Sequence, residues 1–239
     1  ILSIDGFGDF TSTMTAIGKG NKFEVLDEVN YPHSLGVFYS TVTQFLGFPN
    51  YGDEYKVMGL ASYGEAKYLK ELEQILTFTD DGFFKLNKKY FKHFKEGVTM
   101  SWEGGSPIIG SLFTSEWEKL FKKAREQNDE LEKFHIDLAT SVQKFTEKVI
   151  FHMLNHLQKK TGCENICITG GVAQNSVANG KILESTNFKN IYIPSAGHDA
   201  GTSIGSALYL YNQILGKGRL EEITSAYFGK KYSHEEIVK

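Results

Sequence analysis

The chain has 239 residues, a formal net charge of -3 and 41% hydrophobic residues, a composition typical of a packed globular protein. The weak negative charge argues against a nucleic-acid-binding role, and no apolar run approaches the roughly 18 residues of a membrane span. Two cysteines are too few for a disulfide framework. We therefore expect a cytoplasmic protein that binds neither membranes nor nucleic acids.

The first part of the chain, residues 1–48, predicts an antiparallel meander followed by a helix. Residues 1–5 are mostly apolar, residues 10–17 and 22–29 alternate with a period of two, and glycine-containing turns separate the three runs. Apolar residues then recur at helical spacing from Leu35 to Phe45, and Gly47 follows as a stop signal.

Residues 49–135 show no regular alternation, and we interpret them as an insertion. The local patterns within it predict a helix over 65–76, a short strand over 83–86, a loop over 103–107, and a helix from a capping box at Ser115 and Glu118 to about Arg125.

Residues 136–216 alternate between helices and strands in the order α-β-α-β-α, and residues 217–239 follow as a C-terminal tail. The predicted elements are a helix over 137–159, a strand over 165–169, a helix over 172–184, a strand over 190–193 and a helix over 201–215. Such alternation predicts a parallel sheet with flanking helices, to which the meander adds antiparallel strands. This α/β order matches one ribonuclease-H-like lobe of the actin-like ATPase (ASKHA) architecture, in which a nucleotide lies between two lobes.

The first hairpin turn contains Asp5, Gly6 and Gly8. Glycines let backbone N–H groups approach a phosphate closely, and the Asp5 carboxylate is suited to hold a metal-bound water. The alternative is an ordinary glycine hairpin with an aspartate in its turn. The turn alone favours that alternative.

A glycine pair, Gly170 and Gly171, follows the apolar strand at 165–169, and Asn175 lies within the next predicted helix. Open α/β sheets bind ligands at this position, between the carboxyl end of a strand and the N-terminus of a helix. The alternative is a tight turn in which glycine serves only packing. The pattern alone does not choose between the two.

Two charged residues are further candidates for a site. Asp199 opens the last long helix and is either a helix cap or a carboxylate metal ligand. Lys56 lies beside acidic residues in an apolar, glycine-bounded run. It is either a partner of a surface ion pair or a point charge that holds a phosphate or a carbonyl oxygen.

Four motifs in order give the chain a family resemblance. They are YPHSLGVFYSTVTQFLGF at 31–48, GDEYKVMGLASYG at 52–64, GGVAQNSVANGKI at 170–182 and SAGHDAGTSIGSAL at 195–208. Over nearly its whole length the chain resembles the O-carbamoyltransferases of nodulation-factor and antibiotic biosynthesis. The tRNA threonylcarbamoyl transferases are more distantly similar, through the segments that begin at Gly170 and Asp199.

The resemblance implies an enzyme that makes carbamoyl-adenylate from ATP and carbamoyl phosphate and transfers the carbamoyl group to the hydroxyl of a small-molecule acceptor. It also implies roles for individual residues: a phosphate loop of Asp5, Gly6 and Gly8, a nucleotide lining of Gly170, Gly171 and Asn175, a divalent metal (Fe, Mn, Mg or Zn) on Asp199, and a phosphate or carbamoyl contact from Lys56.

Parts of the family pattern are not found in these 239 residues. The family's metal site also uses two histidines of an HxxxH motif, located before the first strand, in the first lobe. An adenylate-forming domain follows the two lobes. We therefore expect a fragment that depends on these parts of the same polypeptide and is inactive by itself. Apolar surface left bare by the missing lobe would favour self-association as a homodimer.

Two alternatives stay open at this point: a tRNA threonylcarbamoyl transferase and a non-catalytic nucleotide-binding module. The segment GDEYKVMGLASYG and the hydrophobic helix at 35–45 favour the O-carbamoyltransferase, and the chain offers no basic face for tRNA. The sequence does not identify the acceptor or the general base.

Overall fold

The computed structural model describes residues 1–221, 223, 225, 227 and 229–238. The predicted meander is confirmed: it consists of β1 (Leu2–Ile4), β2 (Thr11–Lys19) and β3 (Lys22–Asn30), each antiparallel to the next. Helix α1 (Leu35–Phe45) follows, as the apolar spacing predicted. The Ser34 side chain caps it by accepting a hydrogen bond from the backbone N–H of Val37 at 3.0 Å.

Residues 49–135 form short elements that pack into the same core as the meander. They are α2 (Glu54–Leu60), α3 (Leu69–Ile75), β4 (Leu76–Phe78), β5 (Phe84–Leu86), α4 (His93–Glu96), β6 (Met100–Glu103), β7 (Ser106–Ile109) and α5 (Glu116–Leu120). β4 pairs with β5 and β6 with β7, both antiparallel. Trp117 in α5 is fully buried and belongs to the same hydrophobic cluster as Leu2 and Phe45.

The loop predicted at 103–107 is instead the turn of the β6–β7 hairpin. Gly104 and Gly105 both have positive φ, at 56° and 84°, which allows a two-residue turn between Glu103 and Ser106. The sequence pattern missed the flanking strands because each has only four residues.

Two helices predicted in this segment are shorter than expected. The helix predicted from residue 65 begins at Leu69, because the backbone N–H groups of Glu65 and Tyr68 donate to side chains of α6, those of Asp137 and Ser141, at 2.9 and 3.0 Å. Its predicted last residue, Leu76, starts β4. Helix α5 ends at Leu120 rather than near residue 125, and the Ser115 side chain makes no capping hydrogen bond.

Helix α6 (Lys133–Thr161) has 29 residues and confirms the long helix predicted over 137–159. It begins with a capping box at Glu132 and ends where Gly162 takes the left-handed conformation, with φ 67°. The apolar stripe that predicted the helix is fully buried and consists of Leu138, Val142, Phe145 and Val149.

The remaining elements are β8 (Asn165–Thr169), α7 (Ser176–Asn179), α8 (Ile182–Ser185), β9 (Asn190–Tyr192), α9 (Thr202–Leu208) and α10 (His234–Ile237). A π-helical turn, Tyr209–Ile214, continues α9 and accounts for the helix predicted over 201–215. The tail predicted at 217–239 lies partly outside the described residues.

The single helix predicted over 172–184 is wrong. A 3₁₀ turn over Gly171–Gln174 is followed by the two short helices α7 and α8. Asn175 interrupts the helix because its backbone leaves the helical region, with ψ 87°, and its side chain caps α7. Gly180, a weak helix former, lies between α7 and α8.

The main sheet has five strands in the order β3-β2-β1-β8-β9. β1 pairs with β8, and β8 with β9, in parallel, so the predicted mixed α/β sheet is confirmed. The carboxyl ends of these three strands therefore share one edge of the sheet. Among the described residues, no helix is both long enough and apolar enough to cross a bilayer.

Candidate functional site

Two adjoining cavities lie at the carboxyl ends of β1, β8 and β9. The first, of about 370 Å³, is called the site cavity here; its lining includes Asp5, Gly6, Gly171, Asn175 and Asp199. The second, of about 380 Å³, shares Asp5 and Asp199 with the first and adds Gly170. Six of the eight residues that the sequence singled out thus line this one region.

The turn after β8 lies directly on β1, and only glycine fits there. Gly170 has φ 93° and ψ 166°, and a Cβ at this position would lie 2.1 Å from the Ile4 carbonyl oxygen. A Cβ on Gly171 would lie 2.9 Å from Oδ1 of Asp5. The glycine pair therefore brings the Asp5 carboxylate and the β8 turn together.

The turns after β8 and β9 are joined by hydrogen bonds to one carbonyl. The backbone N–H of Gly170 and the hydroxyl of Thr169 donate to the Gly197 carbonyl oxygen at 2.6 and 2.8 Å. This link places Asp199, which starts the 3₁₀ turn before α9, beside the glycine pair.

The start of α1 holds the Asp5 turn from the other side. The Ser34 hydroxyl is hydrogen-bonded to the carbonyl oxygens of Asp5 and Gly6, at 3.0 and 2.5 Å. A Cβ on Gly36 would lie 2.7 Å from the nitrogen and Cα of Gly6, so the helix backbone approaches the turn as closely as a glycine permits. Ser34 and Gly36 were not identified as site residues from the sequence, although both lie in the quoted segment YPHSLG.

A further wall of the site cavity comes from α1 and α2 and includes Tyr39, Ser40, Glu54, Tyr55 and Met58. The Ser40 hydroxyl donates to Oε1 of Glu54. Sequence reasoning missed this wall, because its residues are ordinary helix residues until α1 and α2 are brought together.

The carboxylates of Asp5, Glu54 and Asp199 line the site cavity and give it a negative potential. Their charges affect the pKa of the Tyr51 phenol: burial raises this pKa, and the three negative charges raise it further. A phosphate entering such a cavity needs a cation to offset these charges. The electrostatics therefore disfavour a free anion, and the nucleotide with its divalent metal stays a prediction.

Asp199 is the exposed carboxylate available to such a metal. In the part of the chain that the structure describes, no cluster of three or more His, Cys, Asp or Glu side chains could hold a metal ion. The donor set present, Asp199 with Asp5 lining the same cavity, fits part of an oxygen-rich site of the kind that Mg²⁺ or Mn²⁺ occupies with several waters. The assignment of Asp199 to a metal stays a prediction.

Lys56 and Gly8 lie outside the lining of both cavities. The Lys56 ammonium forms an ion pair with Asp53 at 2.7 Å, the alternative considered for it from the sequence. Gly8 is exposed, and a Cβ there would lie 2.6 Å from the Thr11 carbonyl oxygen, so glycine serves the tight turn. Their contacts with a ligand stay predictions.

A larger cavity of about 840 Å³ lies elsewhere, near the start of β1, where Lys22, Cys163 and Tyr209 are among the residues that line it. None of the residues predicted for a site lines it. We therefore assign the candidate site by its chemistry and its place at the strand ends, not by cavity size.

Residues 1–208 match the family model described as carbamoyltransferase N-terminus. The chain belongs to this carbamoyltransferase family. The resemblance read from the four motifs is thereby confirmed, and the family match contains every residue proposed for the site.

Individual relatives agree with the family match. The chain is 32% identical to nodulation protein NolNO of Sinorhizobium fredii and 31% identical to nodulation protein NolO of Bradyrhizobium diazoefficiens, over 100% and 99% of its length. It is 37% identical, over 99% of its length, to the uncharacterized protein sll1178 of Synechocystis sp.. The alignments cover 32%, 39% and 37% of these three proteins, so the chain spans about a third of the length of these relatives.

Proposed function

We propose that this chain forms the nucleotide- and carbamoyl-binding part of an O-carbamoyltransferase. One observation carries the proposal. The four motifs lie far apart in the sequence and all fall within the family match, and residues from each of them line the same cavity. Family membership points to carbamoyl transfer, and the negative, glycine-lined cavity suits a metal-bound nucleotide.

The fold proposal is a ribonuclease-H-like lobe of the actin-like ATPase architecture. The strand order β3-β2-β1-β8-β9, with β2 antiparallel to β1 and with β1, β8 and β9 parallel, supports it. In open α/β sheets ligands bind beside the carboxyl ends of the strands, where this cavity lies.

In the proposed reaction the acceptor oxygen forms a bond to the carbamoyl carbon of carbamoyl-adenylate. The bond between that carbon and the phosphate oxygen breaks, AMP leaves with the electron pair, and the acceptor's hydroxyl proton is released to solvent. The chain's own contribution is to bind and orient: the backbone N–H of Gly171 would face the phosphate, the N–H of Gly6 holds the Asp5 carboxylate at 2.6 Å, and Asp199 would hold the divalent metal. Such a metal, when bound, polarises the phosphate oxygens.

ATP, carbamoyl phosphate and a hydroxyl-bearing small molecule are the proposed substrates. The first lobe and the adenylate-forming domain would come from the two thirds of the polypeptide that the relatives have and this chain does not cover. We therefore expect the 239-residue chain alone to be inactive and to bind divalent metal weakly.

The test is an assay of the complete polypeptide that contains this chain, with ATP, ¹⁴C-labelled carbamoyl phosphate and a panel of hydroxyl acceptors. We expect labelled, carbamoylated acceptor and stoichiometric AMP. Labelled tRNA formed in a parallel reaction with ATP, bicarbonate and ¹⁴C-labelled threonine, without any carbamoylated small molecule, would support a threonylcarbamoyl transferase. Nucleotide binding without transfer to any acceptor would support a non-catalytic module and contradict the proposal.

A further inference from the structure

A buried amide lies directly behind the site cavity and contacts two of its walls. Gln143 in α6 is 4% exposed, and it is not among the residues that line the cavity. Its side chain makes two hydrogen bonds to Asn175, one in each direction and both 3.0 Å long. It also accepts a hydrogen bond from the Tyr39 hydroxyl at 3.0 Å and donates one to Glu147 at 3.0 Å.

The partners fix the orientation of both amides. The N–H of Ala178 can only donate, so the atom of Asn175 that it contacts at 3.0 Å must be the oxygen. Oε1 of Glu147 accepts a hydrogen bond from the Lys181 ammonium at 2.7 Å, so the atom of Gln143 that contacts this same oxygen is the nitrogen. Once the oxygen and nitrogen of both amides are assigned in this way, the Gln143 side chain makes all four of its hydrogen bonds at the same time.

Tyr39 completes the network from the opposite wall. Burial raises the pKa of its phenol far above the usual range, and the negative charges of Glu54 and Glu147 raise it further. The hydroxyl is therefore protonated near neutral pH and donates its hydrogen bond to Gln143. Tyr39 comes from α1 and Asn175 from the turn after β8, and both side chains line the site cavity.

We propose that Gln143 is a positioning residue that holds the α1 wall and the Gly171–Asn175 turn at a fixed distance across the site cavity. The assignment of its effect to nucleotide binding rests on the function proposed above. Gln143 touches no ligand itself. It acts through Asn175, whose amide is bonded to Gln143 and to the start of α7, and through Tyr39.

The geometry explains why a glutamine is needed here. An apolar residue of similar size would fill the space, but it would leave the Asn175 amide and the Tyr39 hydroxyl without their buried partner. Both groups would then turn toward other partners, and the cavity walls would shift. A displacement of about 1 Å in a binding site is enough to change rates roughly a hundredfold.

The first test uses Gln143→Leu in the complete polypeptide, with Lys144→Ala as the matched control, because Lys144 is the next residue of α6 and is exposed. We expect the KM for carbamoyl-adenylate, supplied preformed in the carbamoyl-transfer assay, to rise roughly tenfold or more in Gln143→Leu, with kcat changed less. Hydrogen exchange of the backbone amides in 171–178 should rise by a similar factor, while exchange in β1 and β2 stays unchanged. The control should change neither.

The second test asks whether the two amides are coupled. Gln143→Asn shortens one partner of the amide pair, and Asn175→Gln lengthens the other. Each single variant should raise the KM, and the double variant should raise it by less than the product of the two single effects, because residues in contact are not independent.

Two results would overturn the inference. The first is a folded Gln143→Leu protein with normal exchange in 171–178. The second is a protein whose melting temperature falls while its KM and local exchange do not change, which is the signature of a merely structural residue. A wild-type protein without carbamoyl transfer would contradict the proposed function instead. The exchange measurement would still decide whether Gln143 positions the turn.

Discussion

Gly170→Ala is the substitution for which the structure predicts the largest local effect in the site. The residue combines φ 93° and ψ 166°, a backbone region that is essentially restricted to glycine and costs other residues about 1–3 kcal/mol. Its new Cβ would also lie 2.1 Å from the Ile4 carbonyl oxygen, well inside contact distance. The positions of this Cβ and of the Ile4 carbonyl oxygen are both fixed by the backbone, so no side-chain rotation can separate them. We therefore add an overpacking cost of about 1–3 kcal/mol.

The expected loss of unfolding free energy is therefore about 2–6 kcal/mol, a large part of the about 5–15 kcal/mol that stabilises a typical domain. Gly162→Ala is the matched control. Gly162 also has positive φ, at 67°, but no atom would lie within 4 Å of its Cβ. The control should lose only the cost of the left-handed conformation, about 1–2 kcal/mol.

Urea denaturation of the two variants and the wild type measures both losses. The result that refutes the reasoning is a Gly170→Ala protein no less stable than Gly162→Ala. That result would mean that the turn after β8 does not lie against β1 as described, and that the link between the glycine pair and Asp5 is wrong.

Three further predictions concern a carboxylate in the core, the metal candidate and the segment at 49–135. The Lys133 ammonium, followed by the N–H of Glu65, holds the pKa of Asp137 well below its usual range. Asp137→Asn should thus destabilise the chain at pH 7 in urea unfolding, and the difference should shrink as pH falls below about 4, where the unfolded carboxyl gains its proton. Asp199→Ala should abolish carbamoyl transfer in the complete polypeptide. It should not lower the melting temperature, because the Asp199 side chain is exposed. Transfer near the wild-type rate in this variant would exclude Asp199 as an essential metal ligand. Trp117→Ala should cost about 3–5 kcal/mol in urea unfolding, because the indole is fully buried; a loss below about 1 kcal/mol, no larger than for the exposed Trp102→Ala, would show that this segment does not share the core.

Local pattern was enough to predict the parts of the fold that local chemistry determines. Alternating residues gave the meander, and the buried stripe from Leu138 to Val149 gave α6. The glycine pair after β8 marked the end of that strand, although the pattern alone left open whether a ligand or only packing requires the glycines. The conformation of these elements is determined by residues that are close to one another in the sequence.

Other features depend on partners far away in the sequence and were missed for that reason. The helix predicted over 172–184 breaks at Asn175, whose amide is bonded to Gln143, 32 residues earlier. Ser34 looks like a simple helix cap until the turn at Asp5 is brought against it. Gln143 is visible in the sequence only as a polar residue beside an apolar stripe, because its partners Tyr39 and Asn175 come from other elements.

Photoaffinity labelling with 8-azido-ATP tests most directly whether the cavity at the strand ends is the nucleotide site. The experiment uses the complete polypeptide with Mg²⁺, followed by proteolysis and mass spectrometry of the labelled peptides. Besides label in the adenylate-forming domain, we expect label in segments that line the site cavity, 51–58 or 171–175, and we expect unlabelled ATP to compete with it. Competed label instead on residues of the larger cavity near the start of β1, such as Tyr209, would contradict the assignment.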